Sequence, residues 1–174
     1  QDFEITGMSP IVEVYANRVE ISNPGEPVVP IERFVDGYQS RNERLADIMR
    51  RFGICEEKGS GIDRTIRAAE IHQLPAPDFR VEYQRTMVIV FGPRTFRMMD
   101  RDNRIRACYQ HCALQWVMRE NMTNQSLRQR FQLSDSSANT VSKIITDTLE
   151  SNWIKLDPNA SASKKYARYI PIWA

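Results

Sequence analysis

Small polar side chains crowd one short stretch of this sequence. Ser136, Ser137, Asn139, Thr140 and Lys143 lie close together. Val141, Ile144, Ile145, Thr148 and Leu149 alternate with them at helical spacing. A helix over Ser136–Ser151 would bury the second set and present the first. An exposed face of this kind suits a DNA major groove: an amide can pair with an adenine edge, and a lysine with guanine or a phosphate. A second basic group, Lys164 and Lys165, ends the polar stretch Ser161-Ala162-Ser163, and Arg168 follows. Lysines on such a loop reach a phosphate or the minor groove. Arg128, Arg130 and Arg168 are further candidates for backbone contacts. The alternative use of the same face is contact with another protein.

Glycines supply the other chemistry. Asn23-Pro24-Gly25 ends an apolar alternation, and Gly59-Ser60-Gly61 opens a helical pattern. Exposed backbone N–H groups at a glycine loop that starts a helix can hold phosphate. Asn23, Gly25, Gly59, Ser60 and Gly61 are therefore the nucleotide-site candidates. The plainer reading is that the glycines permit a tight turn and close packing. Cys108, His111 and Cys112 share one helix, but a fourth ligand is missing and the cysteines fall on its apolar side, so they read as buried residues and not a metal site. His72 ends a helix near a proline, where it more often meets the last carbonyls than does chemistry. No Ser/His/Asp or Cys/His set has partners at plausible spacing, so no catalytic residue is assigned.

The elements that would position these residues follow from periodicity. Val12, Val14, Val19 and Ile21 alternate around Ala16-Asn17 as a hairpin. Asn42 to Phe52 is amphipathic, with Leu45, Ile48, Met49 and Phe52 at one face. Ile62, Ile66 and Ala69 stripe a second helix, which Leu74-Pro75-Ala76-Pro77 breaks. Phe79–Tyr83 and Thr86–Phe91 form a second hairpin, turned at Gln84-Arg85. Then come a long helix over Asn103–Glu120, a short one over Thr123–Phe131, the helix Ser136–Ser151, and strands at Trp153–Leu156 and Tyr166–Ile170. Three helices and a two-stranded ribbon are the order of a winged helix-turn-helix. Charge divides the chain at the same place. Residues 1–93 carry 11 Lys/Arg against 15 Asp/Glu, and residues 94–174 carry 13 against 7. An acidic half and a basic half point to two domains with different partners. The expected organisation is an α+β domain over 1–93, a linker over 94–102 and a winged helix over 103–174.

Two resemblances sharpen this. Ser126-Leu127-Arg128-Gln129-Arg130-Phe131-Gln132-Leu133-Ser134 and Thr140-Val141-Ser142-Lys143-Ile144-Ile145 resemble bacterial winged-helix regulators. Those usually carry Gly where Gln132 stands, so Gln132 is expected to hold a left-handed conformation. In the first half, four segments resemble the RecG-helicase-related C-terminal domain family: Val19 to Gly25, Ser40-Arg41-Asn42, Glu57 to Ile62, and Leu74 to Phe79. The resemblance implies a bacterial transcriptional regulator with a divergent histidine-kinase-type ATPase fold. In such proteins a Schlafen/AlbA-like domain often precedes this region and a winged helix often follows. It also implies that Asn23 stands where the kinase-type fold uses Asp to read adenine. The family's preceding helix, which carries the Asn and Glu for Mg²⁺ and water activation, is not in this sequence. At most half a nucleotide site is therefore expected, in a chain that is N-terminally truncated.

Composition sets the outer limits. Apolar residues at 41% and charged residues at 26% are an ordinary globular balance. No apolar run approaches the roughly 20 residues that span a bilayer, and Gln1-Asp2-Phe3-Glu4 is neither basic nor apolar, so no secretory leader is read. Three scattered cysteines do not make a disulfide framework, which favours a cytoplasmic setting. The expected fold class is α+β, a partial ATPase-like two-layer α/β sandwich followed by a winged helix-turn-helix. The expected function is a DNA-binding transcriptional regulator fragment, not itself an enzyme, acting on double-stranded DNA and able to form a homodimer, with no membrane partner. No cofactor is expected in this fragment, and ATP with Mg²⁺ is expected only in a full-length parent. The alternatives are part of an ATP-dependent, helicase-related DNA-processing protein, or a winged helix used for protein contact.

Overall fold

The computed structural model describes residues 2–55, 59–160 and 167–174. Two compact units emerge, one of Gln1–Thr65 and Pro77–Phe91, the other of Ile66–Ala76 and Gly92–Ala174. Residues 66–76, expected with the first half, thus group with the second. The reason is polar as well as apolar: the Leu74 carbonyl accepts from Arg130 at 2.8 Å, and the Ala76 carbonyl from Arg106 at 3.2 Å.

The first unit is built on an antiparallel sheet. Strands β1 (Ile11–Tyr15), β2 (Arg18–Pro24), β3 (Asp78–Glu82) and β4 (Arg85–Phe91) lie in the order β1-β2-β4-β3. The two expected hairpins are therefore joined edge to edge, with Ile21 opposite Val88. The second hairpin turns one residue earlier than the sequence predicts. Tyr83 and Gln84 hold φ of 48° and 59°, and Glu82 faces Arg85. Two positive φ values in a two-residue loop match the right-handed twist of the strands. Helix α1 spans Glu43–Arg51 and α2 Ser60–Ile71. Val35 and Ile89 are buried, and the Phe34 and Phe79 rings meet edge-on at 5.3 Å. The apolar stripe of α1 has the predicted period but not the predicted burial: Leu45, Ile48 and Phe52 are exposed. Periodicity creates a face without guaranteeing a neighbour to cover it.

The second unit centres on α3 (Arg101–Val117). The Asp100 carboxylate caps it, accepting from the Asn103 backbone N–H at 2.7 Å. Ile105, Cys108, Cys112 and Leu114 are buried along it. Residues 94–102 are more structured than a linker. They contain a 3-10 turn at Phe96–Met98 and the buried Met99, and the Phe96 ring packs on Phe131 at 5.1 Å. Helix α4 (Asn124–Arg130) begins with Thr123 and Ser126 exchanging side-chain-to-backbone bonds, which satisfy two otherwise orphaned donors. A 3-10 turn at Asp135–Ser137 leads into α5 (Ala138–Glu150). Strands β5 (Ile154–Leu156) and β6 (Tyr169–Pro171) form an antiparallel pair, and Met122, between α3 and α4, bridges to Tyr169. Tyr109 packs on Trp153 at 4.8 Å and accepts from the Trp173 indole N–H at 3.1 Å. Among the described residues, no helix is long and apolar enough to cross a membrane.

Candidate functional site

In the second unit the polar residues singled out above gather around the start of α5. Val141, Ile144, Ile145 and Thr148 are buried on one side of that helix. Asn139, Thr140, Ser142 and Lys143 are exposed on the other, and Lys143 makes no ion pair with a described residue. Ser136 is exposed and Ser137 half-buried in the preceding turn, where the Ser134 and Ser136 hydroxyls lie 2.8 Å apart.

The start of α5 is braced by α4. The Asn124 amide donates to the Ala138 carbonyl and to the Ser142 hydroxyl, each at 3.0 Å, and its Oδ1 accepts from Arg128 Nε at 3.0 Å. Arg128 also pairs with Asp135. Between the helices Gln132 holds φ of 50°, the left-handed conformation its place in the turn predicts. Arg168 is exposed just before β6. Lys164 and Lys165 lie outside the described residues.

Arg130 is a correction. It was a candidate for phosphate contact, but its side chain is 1% exposed. Its guanidinium donates to the Leu74 carbonyl and sits 3.4 Å from the Glu70 carboxylate. Burial lowers its pKa and the Glu70 charge raises it. A second correction follows from the same cluster. His111 Nδ1 is 3.0 Å from Glu70 Oε1, and its Nε2 is 3.1 Å from Ser126 Oγ. A Glu–His–Ser array therefore exists where no such set was expected. His111 is buried, and Ser126 Oγ is already engaged by the Thr123 N–H as part of the helix cap. Neither the cavity beside Asn23 nor the one beside Arg97 is lined by His111 or Ser126. The array satisfies buried polar groups. Nothing local in the sequence signals it, because Glu70 and His111 are 41 residues apart.

The first unit brings together part of the glycine set. A cavity of about 320 Å³ is lined by Asn23, Gly25, Tyr38, Arg41, Ile62 and Thr86, among others. Gly25 holds φ of +100°, and a Cβ there would come within 2.5 Å of Asp2 Cβ, so only glycine fits. Its carbonyl accepts from Thr86 Oγ1 at 2.7 Å and its N–H donates to the Gln84 carbonyl at 2.7 Å. Gly59 approaches the cavity edge: a Cβ there would lie 3.9 Å from the Tyr38 ring. Gly61 faces open space, and its carbonyl accepts from Thr65 Oγ1 at 2.8 Å. Of Ser60 the backbone alone is described, as the first residue of α2.

The cavity carries little spare charge. Arg41 is held by Asp2 at 2.8 Å and by the Glu26 carbonyl at 2.7 Å. Asn23 makes no hydrogen bond through its side chain to a described residue, so its amide is available. Next to Ile62, burial and then the Asp36 charge push the Asp63 carboxyl above its ordinary range. Among the described residues, no three His, Cys, Asp or Glu side chains group as metal ligands do. In size the cavity stands at the lower end of small-molecule sites, roughly 300–1,000 Å³.

Residues 7–90 match the family described as "Putative ATP-dependent DNA helicase recG C-terminal". The RecG-related, ATPase-like reading of the first half is borne out over those residues. No curated protein matches the chain. Among solved structures, the chain is similar to the DIP2311 protein from Corynebacterium diphtheriae, at 15% identity with a TM-score of 0.45 over 88% of this chain. The chain spans 33% of the length of that protein.

Proposed function

With residues 7–90 matched to the RecG C-terminal family, we propose that the second unit is a winged helix-turn-helix that binds double-stranded DNA, and that the chain is part of a transcriptional regulator. In this reading α4 and α5 are the helix-turn-helix, β5 and β6 the ribbon beneath the wing, and Met122 the short strand that joins it. The observation that carries the reading is α5 itself. Its buried face is wholly apolar apart from Thr148, whose hydroxyl is satisfied by the Ile144 carbonyl at 2.7 Å. Its outer face offers Asn139, Thr140, Ser142 and Lys143, all exposed.

Each part has a role in that complex. Asn139 and Lys143, one turn apart, contact base edges. Ser136, Ser137 and Thr140 hydrogen-bond phosphates near the helix start, where backbone N–H groups favour an anion. Arg168, Lys164 and Lys165 contact the backbone from the wing. Arg128 positions α5 through Asn124 and Asp135.

In this reading the first unit holds nucleotide weakly or not at all: Asn23 and Gly25 would face the base end, and Gly59, Ser60 and Gly61 would offer backbone donors to phosphate. Catalysis is not assigned to it. The family match favours a second reading, in which the chain is part of an ATP-dependent DNA-processing protein. Fluorescence anisotropy with a labelled duplex over a range of salt separates the readings from a protein-contact role. The proposal expects affinity that falls as log K with log salt, with a slope of roughly −0.9 per phosphate contact. No binding at low salt would reject it. ATP hydrolysis stimulated by DNA would move the chain to the second reading.

A further inference from the structure

A cavity of about 670 Å³ opens in the second unit. It lies among the turn that ends α2, the segment 93–99, and the turn between α4 and α5. Both helix ends are closed there by left-handed glutamines, Gln73 at φ 54° and Gln132 at φ 50°. At each end one terminal carbonyl is occupied: Leu74 N–H donates to the Ala69 carbonyl at 2.8 Å and Leu133 N–H to the Arg128 carbonyl at 2.9 Å.

Carbon surface makes up much of the wall, and the polar lining is basic or neutral. Phe96, Met98, Phe131 and Leu133 contribute carbon surface, and Met98 is 69% exposed at the rim. Arg94, Arg97, His72, Gln73, Thr95 and Gln132 supply that polar lining, which contains no Asp or Glu. Arg97 is exposed and makes no ion pair with a described residue. A cavity of this volume, with carbon surface on one side and a guanidinium at its edge, suits a small amphipathic carboxylate.

We infer that this cavity binds a small carboxylate with an apolar aryl or medium-chain body, the body lying against Phe96, Met98 and Phe131 and the carboxylate facing Arg97. The site is distinct from the cavity beside Asn23. Phe131, Gln132 and Leu133 form the turn that leads to α5. An occupant would therefore bear on the pose of α5, and the site would serve as an effector site. That regulatory consequence rests on the DNA-binding reading above; the binding itself does not.

The test uses the full chain with methyl-¹³C methionine, titrated with decanoate and followed by NMR. Seven methionines give separate probes. The inference expects saturable shifts at Met98 and Met99, with Met8, Met49 and Met87 of the first unit unmoved. Arg97→Gln should weaken decanoate about tenfold, the loss of one charge-assisted contact, and should leave 1-decanol binding unchanged. Equal binding of decanoate and 1-decanol would overturn the carboxylate assignment. Equal decanoate affinity in Arg97→Gln would do the same. Shifts spread over all exposed methionines, or none at Met98 and Met99, would overturn the site. None of these outcomes involves DNA, so the DNA-binding reading stands or falls separately.

Discussion

Glu70→Ala tests whether the buried polar cluster holds the second unit together. Glu70 is the charged partner of two buried groups, His111 at 3.0 Å and Arg130 at 3.4 Å. Removing it leaves the Arg130 guanidinium 1% exposed with the Leu74 carbonyl as its remaining partner. Two of its nitrogens, Nε and Nη1, have no hydrogen bond even in the intact protein. Breaking a buried pair by removing one partner costs about 3–5 kcal/mol. The single long contact and the 17% exposure of Glu70 place this case near the lower end, about 3 kcal/mol. At a urea m-value of roughly 1.5 kcal/mol/M, the midpoint falls by about 2 M. Trp116, Trp153 and Trp173 all lie in the second unit, so tryptophan fluorescence reports its unfolding. Glu70→Leu combined with Arg130→Met removes both charges and should recover most of the loss, because no unpaired ion remains. A Glu70→Ala midpoint within about 0.3 M of the parent, or a double variant no better than the single, would refute the reasoning.

Three further outcomes are expected. The Asn103 backbone N–H, and nearby Arg106 and Arg94, hold the Asp100 carboxyl below its ordinary range against the effect of burial. Its stabilisation is complete above the unfolded carboxylate range, near pH 4, and disappears as pH falls through the lower folded value. Asp100→Ala should cost about 1 kcal/mol at pH 7, and Asp100→Asn should keep most of the cap while flattening the acid limb of a stability–pH curve. Burial pushes the Cys108 thiol up to about 12, and burial also raises Cys112. An aromatic disulfide reagent at pH 8 should then titrate Cys55 in the native chain and reach Cys108 and Cys112 only in denaturant. Fast reaction of all three would show that α3 is not packed as described. Calorimetry with ATP and Mg²⁺ should give weak or undetectable binding, and a micromolar dissociation constant would contradict the half-site reading.

The sequence makes some of this legible and hides the rest, for physical reasons. The buried stripe of α5 follows from helical period alone, and Val141, Ile144 and Ile145 lie where it puts them. The left-handed Gln132 is readable because the turn geometry demands that conformation whatever residue fills it. Cys108 and Cys112 are buried because their positions fall on the apolar side of α3. Arg130 is the opposite case. On the surface of a helical wheel it resembles Arg128, and only partners far away in sequence, the Leu74 carbonyl and the Glu70 carboxylate, explain its burial. Glu70 carries no mark of its two distant partners. The stripe of α1 shows the converse limit, since period predicts a face and tertiary structure decides whether anything packs on it. Asn23 and Gly25 meet at one cavity because the strand end and its glycine turn are contiguous, whereas the approach of Gly59 to Tyr38 is visible only in the fold.

The proposed function rests on α5 reading DNA, and one paired measurement tests it. Asn139 and Lys143 are exposed and off the apolar stripe, so alanine at either position should leave thermal unfolding unchanged. On a cognate duplex selected from a random pool, Asn139→Ala should lose roughly 1–3 kcal/mol, and less on random DNA. Lys164→Ala with Lys165→Ala should instead weaken all duplexes similarly and flatten the salt slope by about one unit per lost phosphate contact. Fluorescence anisotropy at several salt concentrations reads both effects in one experiment. Affinity unchanged in both variants, with folding intact, would mean that this face does not bind DNA.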